Sequence, residues 1–214
     1  MKIEELKKIY NEGEYYLLGT KDYPQDFKKA FDLFKIASDE GYFLATYNIA
    51  CMYYFGHGVK KDLNEALNYY ILGSNQGDKE ASFHAGEVAL ELNKNDIAEK
   101  YLRLACERKS LGGMLSYALF IIDKNKDEAL KIIIESSNLG NGFASLLLGD
   151  FYMEGKYLDK NEKNAFNYYL KAAELRVNAA EEKVARCYKE GIGTKIDLKK
   201  AEYYLKMSKI PYED

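Results

Sequence analysis

The sequence contains no tryptophan and only 2 prolines, 2 histidines and 3 cysteines in 214 residues. So little proline excludes collagen-like and proline-rich linker classes. Two histidines, His57 and His84, leave little for histidine chemistry, and no Cys/His spacing matches a zinc site. Cys51, Cys106 and Cys187 are odd in number, widely spaced and form no C-x-x-C pair. That fits reduced thiols better than a disulfide framework, with one pair plus one thiol left open. No stretch approaches ~18 consecutive apolar residues, so no membrane-spanning helix is expected. The opening MKIEELKKIYNEGEYY is too charged for a signal peptide, and the expected compartment is the cytoplasm. An excess of basic charge is also lacking: 31 Lys and Arg face 34 Asp and Glu, for a formal charge of −3. Neither nucleic acid nor membrane is therefore an expected partner. No phosphate-cradling Gly-x4-Gly-Lys-[Ser/Thr] motif occurs, and GIGTK (191–195) follows a helical pattern rather than a strand. No cofactor, metal or catalytic residue is expected.

What the chain does contain is a repeat. Segments beginning at Ala30, Ala66, Ala98, Ala129, Ala165 and Ala201 each carry large apolar residues three and four positions later. All but the last then reach two small residues at the seventh and eighth positions. The intervals are 36, 32, 31, 36 and 36 residues. A second apolar-periodic segment precedes these alanines, as in Ala45, Ile49, Met52 and Tyr53, and its 3.6-residue spacing predicts a helix. Glycines end it (Gly56 and Gly58, Gly155, Gly191 and Gly193), and Asp62, Asn161 and Asp197 sit where an N-cap for the next helix belongs. Each unit reads as helix, turn, helix. Units three and four are shorter: Ala81 to Ala98 is 17 residues and Gly113 to Ala129 is 16, against 21 from Ala45 to Ala66. There LNKND (92–96) and DKNKD (123–127) replace the glycine turn. The predicted units are 1–41, 42–77, 78–110, 111–140, 141–176 and 177–214, in one domain.

These residues resemble the Sel1-like repeat, a relative of the tetratricopeptide repeat. The second unit carries its pattern in Ala45, Ile49, Ala50, Tyr53, Gly56, Gly58, Val59, Asp62, Ala66, Tyr69 and Tyr70. The sixth carries it in Ala180, Val184, Ala185, Tyr188, Gly191, Gly193, Asp197, Ala201 and Tyr204. The resemblance implies an all-α right-handed solenoid of about six antiparallel helical pairs. It also implies a non-catalytic scaffold or adaptor that binds a protein or peptide in a concave groove. A hydrolase of the kind proposed for cysteine-rich relatives is the alternative. Those relatives carry a regular cysteine pair per repeat, whereas Cys51, Cys106 and Cys187 occupy non-equivalent positions.

One such pair cannot bury its apolar face alone, so stacking must supply the core. The small residues at Ala66, Ala98, Ala129, Ala165 and Ala201 let helices approach closely. Lys199, Lys200 and Lys206 are expected to dress the last helix, with Ile210, Pro211 and Tyr212 folding over its apolar strip. Tyrosines recurring at fixed repeat positions (Tyr53, Tyr152 and Tyr188; Tyr69, Tyr101, Tyr168 and Tyr204) are expected to pack. Tyr47 and Tyr54 stand off the consensus and are better candidates for ligand contact. If first helices line the groove, the expected partner-binding residues are Tyr47, Tyr54, Phe83, Glu87, Leu119, Leu146, Asp150, Arg186 and Lys189. The aromatic and aliphatic members are the anchors and the charged ones select orientation. Leu115, Leu119 and Ile122 fit either the groove or a core tightened by the short turns. Cys51 reads as a small apolar filler, His57 as an exposed turn residue, and His84 as a partly buried or surface residue.

Overall fold

The computed structural model describes residues 1–210. These residues form twelve α-helices and no strand: α1 Ile3–Leu18, α2 Phe27–Asp39, α3 Phe43–Phe55, α4 Leu63–Asn75, α5 Lys79–Glu91 and α6 Asn95–Glu107, followed by α7 Leu111–Ile121, α8 Lys126–Asn138, α9 Gly142–Glu154, α10 Glu162–Glu174, α11 Asn178–Glu190 and α12 Leu198–Met207. The chain divides into two compact units, Met1–Ser116 and a second beginning at Tyr117, with the boundary inside α7. In the first unit α1–α2, α3–α4 and α5–α6 pack as pairs, and α2–α3 and α4–α5 join them. In the second, α9–α10 and α11–α12 pack as pairs, and α8–α9 and α10–α11 are in contact.

Turn chemistry explains the helix ends. Asp62 accepts from the backbone N–H groups of Asn64 and Glu65, Asn161 from Asn164 and Asp197 from Lys200. Each cap occupies a group that would otherwise lack an intrahelical partner. Gly56, Gly155 and Gly191 close α3, α9 and α11 in the left-handed region. The second glycine of the Gly-x-Gly turn has a further reason. A Cβ on Gly58 would lie 2.4 Å from the Phe27 carbonyl oxygen, and one on Gly193 would lie 2.0 Å from that of Glu162. The turn tucks against the first residue of the preceding second helix, and no side chain fits there. The short α5–α6 connection manages without it, with Asn93 taking the left-handed position at φ 57°.

Packing follows the alanine frame. Ala30, Ala66, Ala98, Ala129 and Ala165 are fully buried. Phe34, Ile49 and Met52 centre the α1–α3 core, and Leu102 is fully enclosed on α6. Val184 is fully enclosed in the α9–α12 core. Each such side chain contributes roughly 1.5–3 kcal/mol through burial. The recurring tyrosines pack as expected, six of the seven in stacked pairs: Tyr53 with Tyr69 at 5.6 Å, Tyr152 with Tyr168 at 5.7 Å and Tyr188 with Tyr204 at 6.0 Å between ring centroids, while Tyr101 is buried in the core.

The seams between pairs carry a polar device that the sequence reading passes over. Buried hydroxyls meet across them: Ser38 with Thr46 at 2.8 Å, Ser74 with Ser82 at 2.9 Å and Ser137 with Ser145 at 2.8 Å. Ser82 donates onward to the Asp78 carbonyl and Ser145 to that of Asn141. Ser74 and Ser137 are therefore the donors in their pairs, and the chain of hydrogen bonds ends on a helix-capping carbonyl. Arg108 adds donors to the Ser74 carbonyl and the Ser82 hydroxyl, both at 2.8 Å. On α12, Lys199, Lys200 and Lys206 lie at the surface, and Leu198, Tyr203 and Leu205 are exposed beside them. Ile210 is exposed, and Pro211 and Tyr212 lie outside the described residues.

Candidate functional site

In the first unit, α3, α4 and α5 enclose a pocket of about 510 Å³. Its α3 wall is Tyr47, Cys51, Tyr54 and Phe55, successive positions on one helical face. Tyr70 of α4 forms the floor, and α5 supplies Phe83, His84, Glu87, Val88 and Glu91. Four of the nine residues expected at a binding surface, Tyr47, Tyr54, Phe83 and Glu87, thus come together here. The rings pack on one another: His84 lies 5.3 Å from Tyr70, 5.7 Å from Tyr47 and 4.7 Å from Phe83, centroid to centroid. Phe55 is 61% exposed, so its apolar ring lies open at the mouth.

The charged residues lining this pocket, Glu87 and Glu91, are both carboxylates. The Tyr54 hydroxyl donates to Glu91 Oε2 at 3.1 Å, which fixes that carboxylate at the mouth and pushes the Tyr54 phenol up. Burial pushes His84 below the usual imidazole range, opposed by the carboxylates of Glu80, Glu87 and Asp78. His84 is thus a neutral ring at pH 7 in a negative field. The Cys51 thiol lies 3.3 Å from the Tyr70 hydroxyl, and burial pushes both groups up. A thiol held neutral is a weak nucleophile, so Cys51 is filler rather than reagent.

The second unit holds the remaining five expected residues. Leu119 is 46% exposed, Leu115 is half-buried and Ile122 is buried, so the three positions left open between groove and core divide between them. Leu115 and Leu119 lie four residues apart on α7, whereas Ile122 stands just past its end at Ile121, in the turn toward α8. Leu146 is half-buried against the α9–α12 core. Asp150 and Arg186 line a pocket of about 210 Å³ with Met153, Tyr169, Lys183 and Cys187. Lys189 lies with Arg186, Leu198 and Leu205 on the surface between α11 and α12.

Two lining residues escape the sequence reading. Tyr70 matches the repeat consensus and so is expected to pack. It does pack, and it also forms the pocket floor. His84 has no recurring counterpart at its position, and that absence is the signal that marks it. His57 is exposed as expected, stacked on Phe27 at 4.7 Å. Among the described residues, no group of three or more His, Cys, Asp or Glu is arranged to hold a metal, and no helix is long and apolar enough to cross a membrane.

Comparison with known proteins places this architecture. The Sel1 repeat family model matches residues 9–42, 44–78, 143–177 and 178–209, and passes over the two units with short turns. The fold is similar to that of a Sel1 repeat protein from Oxalobacter formigenes, at 25% identity over 97% of this chain and 90% of that one, with a TM-score of 0.82. It is also similar to a protective antigen of uropathogenic Escherichia coli with an SLR fold, at 24% identity over 97% of this chain and 48% of that one, with a TM-score of 0.81. Chitin synthase regulatory factor 3 of Schizosaccharomyces pombe is 24% identical over 186 residues, covering 79% of this chain and 20% of its own length. The chain spans 34% or less of the curated relatives it matches.

Proposed function

Because the chain belongs to the Sel1 repeat family, we propose that it is a non-catalytic scaffold or adaptor that binds a protein or peptide segment along its first helices. The supporting observation is the α3–α5 pocket, where non-consensus aromatic residues stay accessible instead of closing into the core. In the first unit the anchors are Tyr47, Tyr54 and Phe83, with Glu87 selecting charge. In the second, Leu119 and Leu146 anchor, and Asp150, Arg186 and Lys189 select orientation. The six-unit division at 41, 77, 110, 140 and 176, action in the cytoplasm and independence from nucleic acid, membrane and cofactor belong to the same reading. Hydrolase chemistry finds no support in the pocket, whose thiol is neutral and whose histidine is desolvated.

The test is selection from a peptide display library, followed by affinity measurement on the selected peptides. Tyr47 packs its edge against Tyr70, so its truncation perturbs the core as well as the pocket. Tyr54 is the cleaner probe, and Tyr54→Ala is expected to weaken a selected peptide roughly tenfold while circular dichroism and melting stay unchanged. Binding that survives both Tyr54→Ala and Phe83→Ala at full strength places the interface elsewhere. A library that returns no peptide rejects the reading.

A further inference from the structure

The pocket of the first unit has a counterpart within the same chain. Helices α9, α10 and α11 repeat α3, α4 and α5 in register: Asp150 stands where Cys51 stands, Tyr169 where Tyr70 stands and Lys183 where His84 stands. The register is visible in bonding, since Cys51–Tyr70 and Asp150–Tyr169 are both contacts between residues 19 apart. In the second unit a lysine fills the space. The Lys183 ammonium lies 5.3 Å from the centroid of the Tyr169 ring and 2.8 Å from Asp150 Oδ1, and the pocket shrinks to about 210 Å³. In the first unit no lysine occupies that place, and about 510 Å³ stays open over the equivalent tyrosine.

Resting on the reading that this chain binds a peptide, we infer that the α3–α5 pocket receives a lysine side chain from the partner. The ammonium lies among the Tyr47, Tyr70 and His84 rings and is met by the Glu87 and Glu91 carboxylates. The aliphatic stem lies along Phe83. The chain shows how such a cation sits, because its own Lys183 does so. A second cation marks the outer wall: the Lys61 ammonium lies 5.2 Å from the Tyr54 ring centroid. Ring faces attract cations electrostatically, more strongly as water is excluded. The local charge agrees. Glu87 is exposed and in no ion pair among the described residues, Glu91 is held at the mouth by Tyr54, and the charges acting on His84 are all carboxylates. A neutral His84 contributes a ring without a repelling charge.

The probe is Nα-acetyl-lysine N-methylamide, titrated into the full chain while the side-chain NMR signals of His84 and Tyr54 are followed. Nα-acetyl-norleucine N-methylamide, which keeps the stem and lacks the charge, is the control. The lysine amide is expected to move both signals saturably, and the norleucine amide to leave them in place. Glu87→Gln with Glu91→Gln, at two exposed positions, is expected to weaken the lysine amide roughly tenfold. Cys51→Asp with His84→Lys installs the second unit's own pair and is expected to abolish binding by filling the pocket from within. Equal response to norleucine, no response to lysine, or unchanged affinity in the double Glu variant overturns the inference. Peptides from the library that bind equally well after lysine-to-norleucine replacement overturn it while leaving the scaffold reading intact. A lysine amide that binds when the library returns nothing rejects the scaffold reading alone.

Discussion

The seam around Tyr70 and the seam around Tyr169 share one backbone plan and have opposite fillings. Both tyrosines are 3% exposed, and both send their hydroxyl toward the residue 19 positions earlier. Around Tyr70 the neighbours are a thiol, a neutral imidazole and aromatic rings with carboxylates at the mouth. Around Tyr169 they are an ion pair and Arg186. The alanine, glycine and tyrosine positions that define the repeat are fixed by packing. Positions between them are released from packing, and there the two copies diverge. Function in such a chain is therefore written in the differences between copies.

Four measurements break or sharpen this comparison. The largest effect concerns what the seams share. Tyr70→Ala and Tyr169→Ala each empty a buried ring position and should each destabilise by roughly 3–5 kcal/mol in urea unfolding. Hydrogen exchange should place the loss in the first unit for one and the second unit for the other. A loss below about 1 kcal/mol in one of them would mean the two floors are not equivalent. Next, Gly58→Ala and Gly193→Ala both force a Cβ at positive φ into a neighbouring backbone carbonyl. Each should cost roughly 1–3 kcal/mol, and a neutral outcome at either would show that turn free to move.

The third measurement separates the seams by acid. His84 has its folded-state pKa lowered by burial from the ordinary 6.5. Below that value the unfolded chain binds a proton that the folded chain resists, so this contribution is complete above pH 6.5 and declines as the pH falls. Glu80, Glu87 and Asp78 soften the decline, and Tyr47, Tyr70 and Cys51 stay neutral throughout. The first unit should lose exchange protection as the pH falls below 6.5, and His84→Gln should flatten that slope. An unchanged slope in His84→Gln would assign the acid response to other groups. The smallest effect is Lys183→Met. The Asp150 pair is partly exposed, so its loss should cost about 0.2–1 kcal/mol and shrink further in high salt. A larger, salt-insensitive loss would show that the lysine stem, rather than its charge, fills the pocket.

The helix pairs, their caps and their tyrosine stacks are legible in the sequence because each rests on a short local rule. Ala66, Gly58, Asp62 and Tyr69 have meaning within one unit. Tyr47, Tyr54, Phe83 and Glu87 are legible as a group by subtraction, as large or charged residues that no repeat rule requires. Tyr70 is not, because one side chain serves both packing and pocket. His84 is not, because its meaning depends on the lysine that its counterpart holds. The Ser38–Thr46, Ser74–Ser82 and Ser137–Ser145 pairs read as small residues until the seams are seen closed, since a hydroxyl and a methyl group occupy similar space. Leu119 and Ile122 part company because α7 ends at Ile121, which leaves Ile122 in the turn rather than on the helix.

Those hydroxyl pairs also bear on how a chain of near-identical modules finds its proper neighbours. At the α10–α11 seam the two corresponding positions hold Ala173 and Glu181 rather than two hydroxyls. If α4 stacked on α11 in place of α5, Ser74 would meet a carboxylate side chain where it now finds Ser82. If α10 stacked on α5, Ser82 would lose Ser74 as a donor and keep Arg108. A buried polar group deprived of every partner costs about 1–3 kcal/mol, and a hydroxyl that keeps one of its two donors costs less. The seams are thus of two kinds. Consensus residues shape the modules alike, and the hydroxyl pairs set the α2–α3, α4–α5 and α8–α9 seams apart from α10–α11.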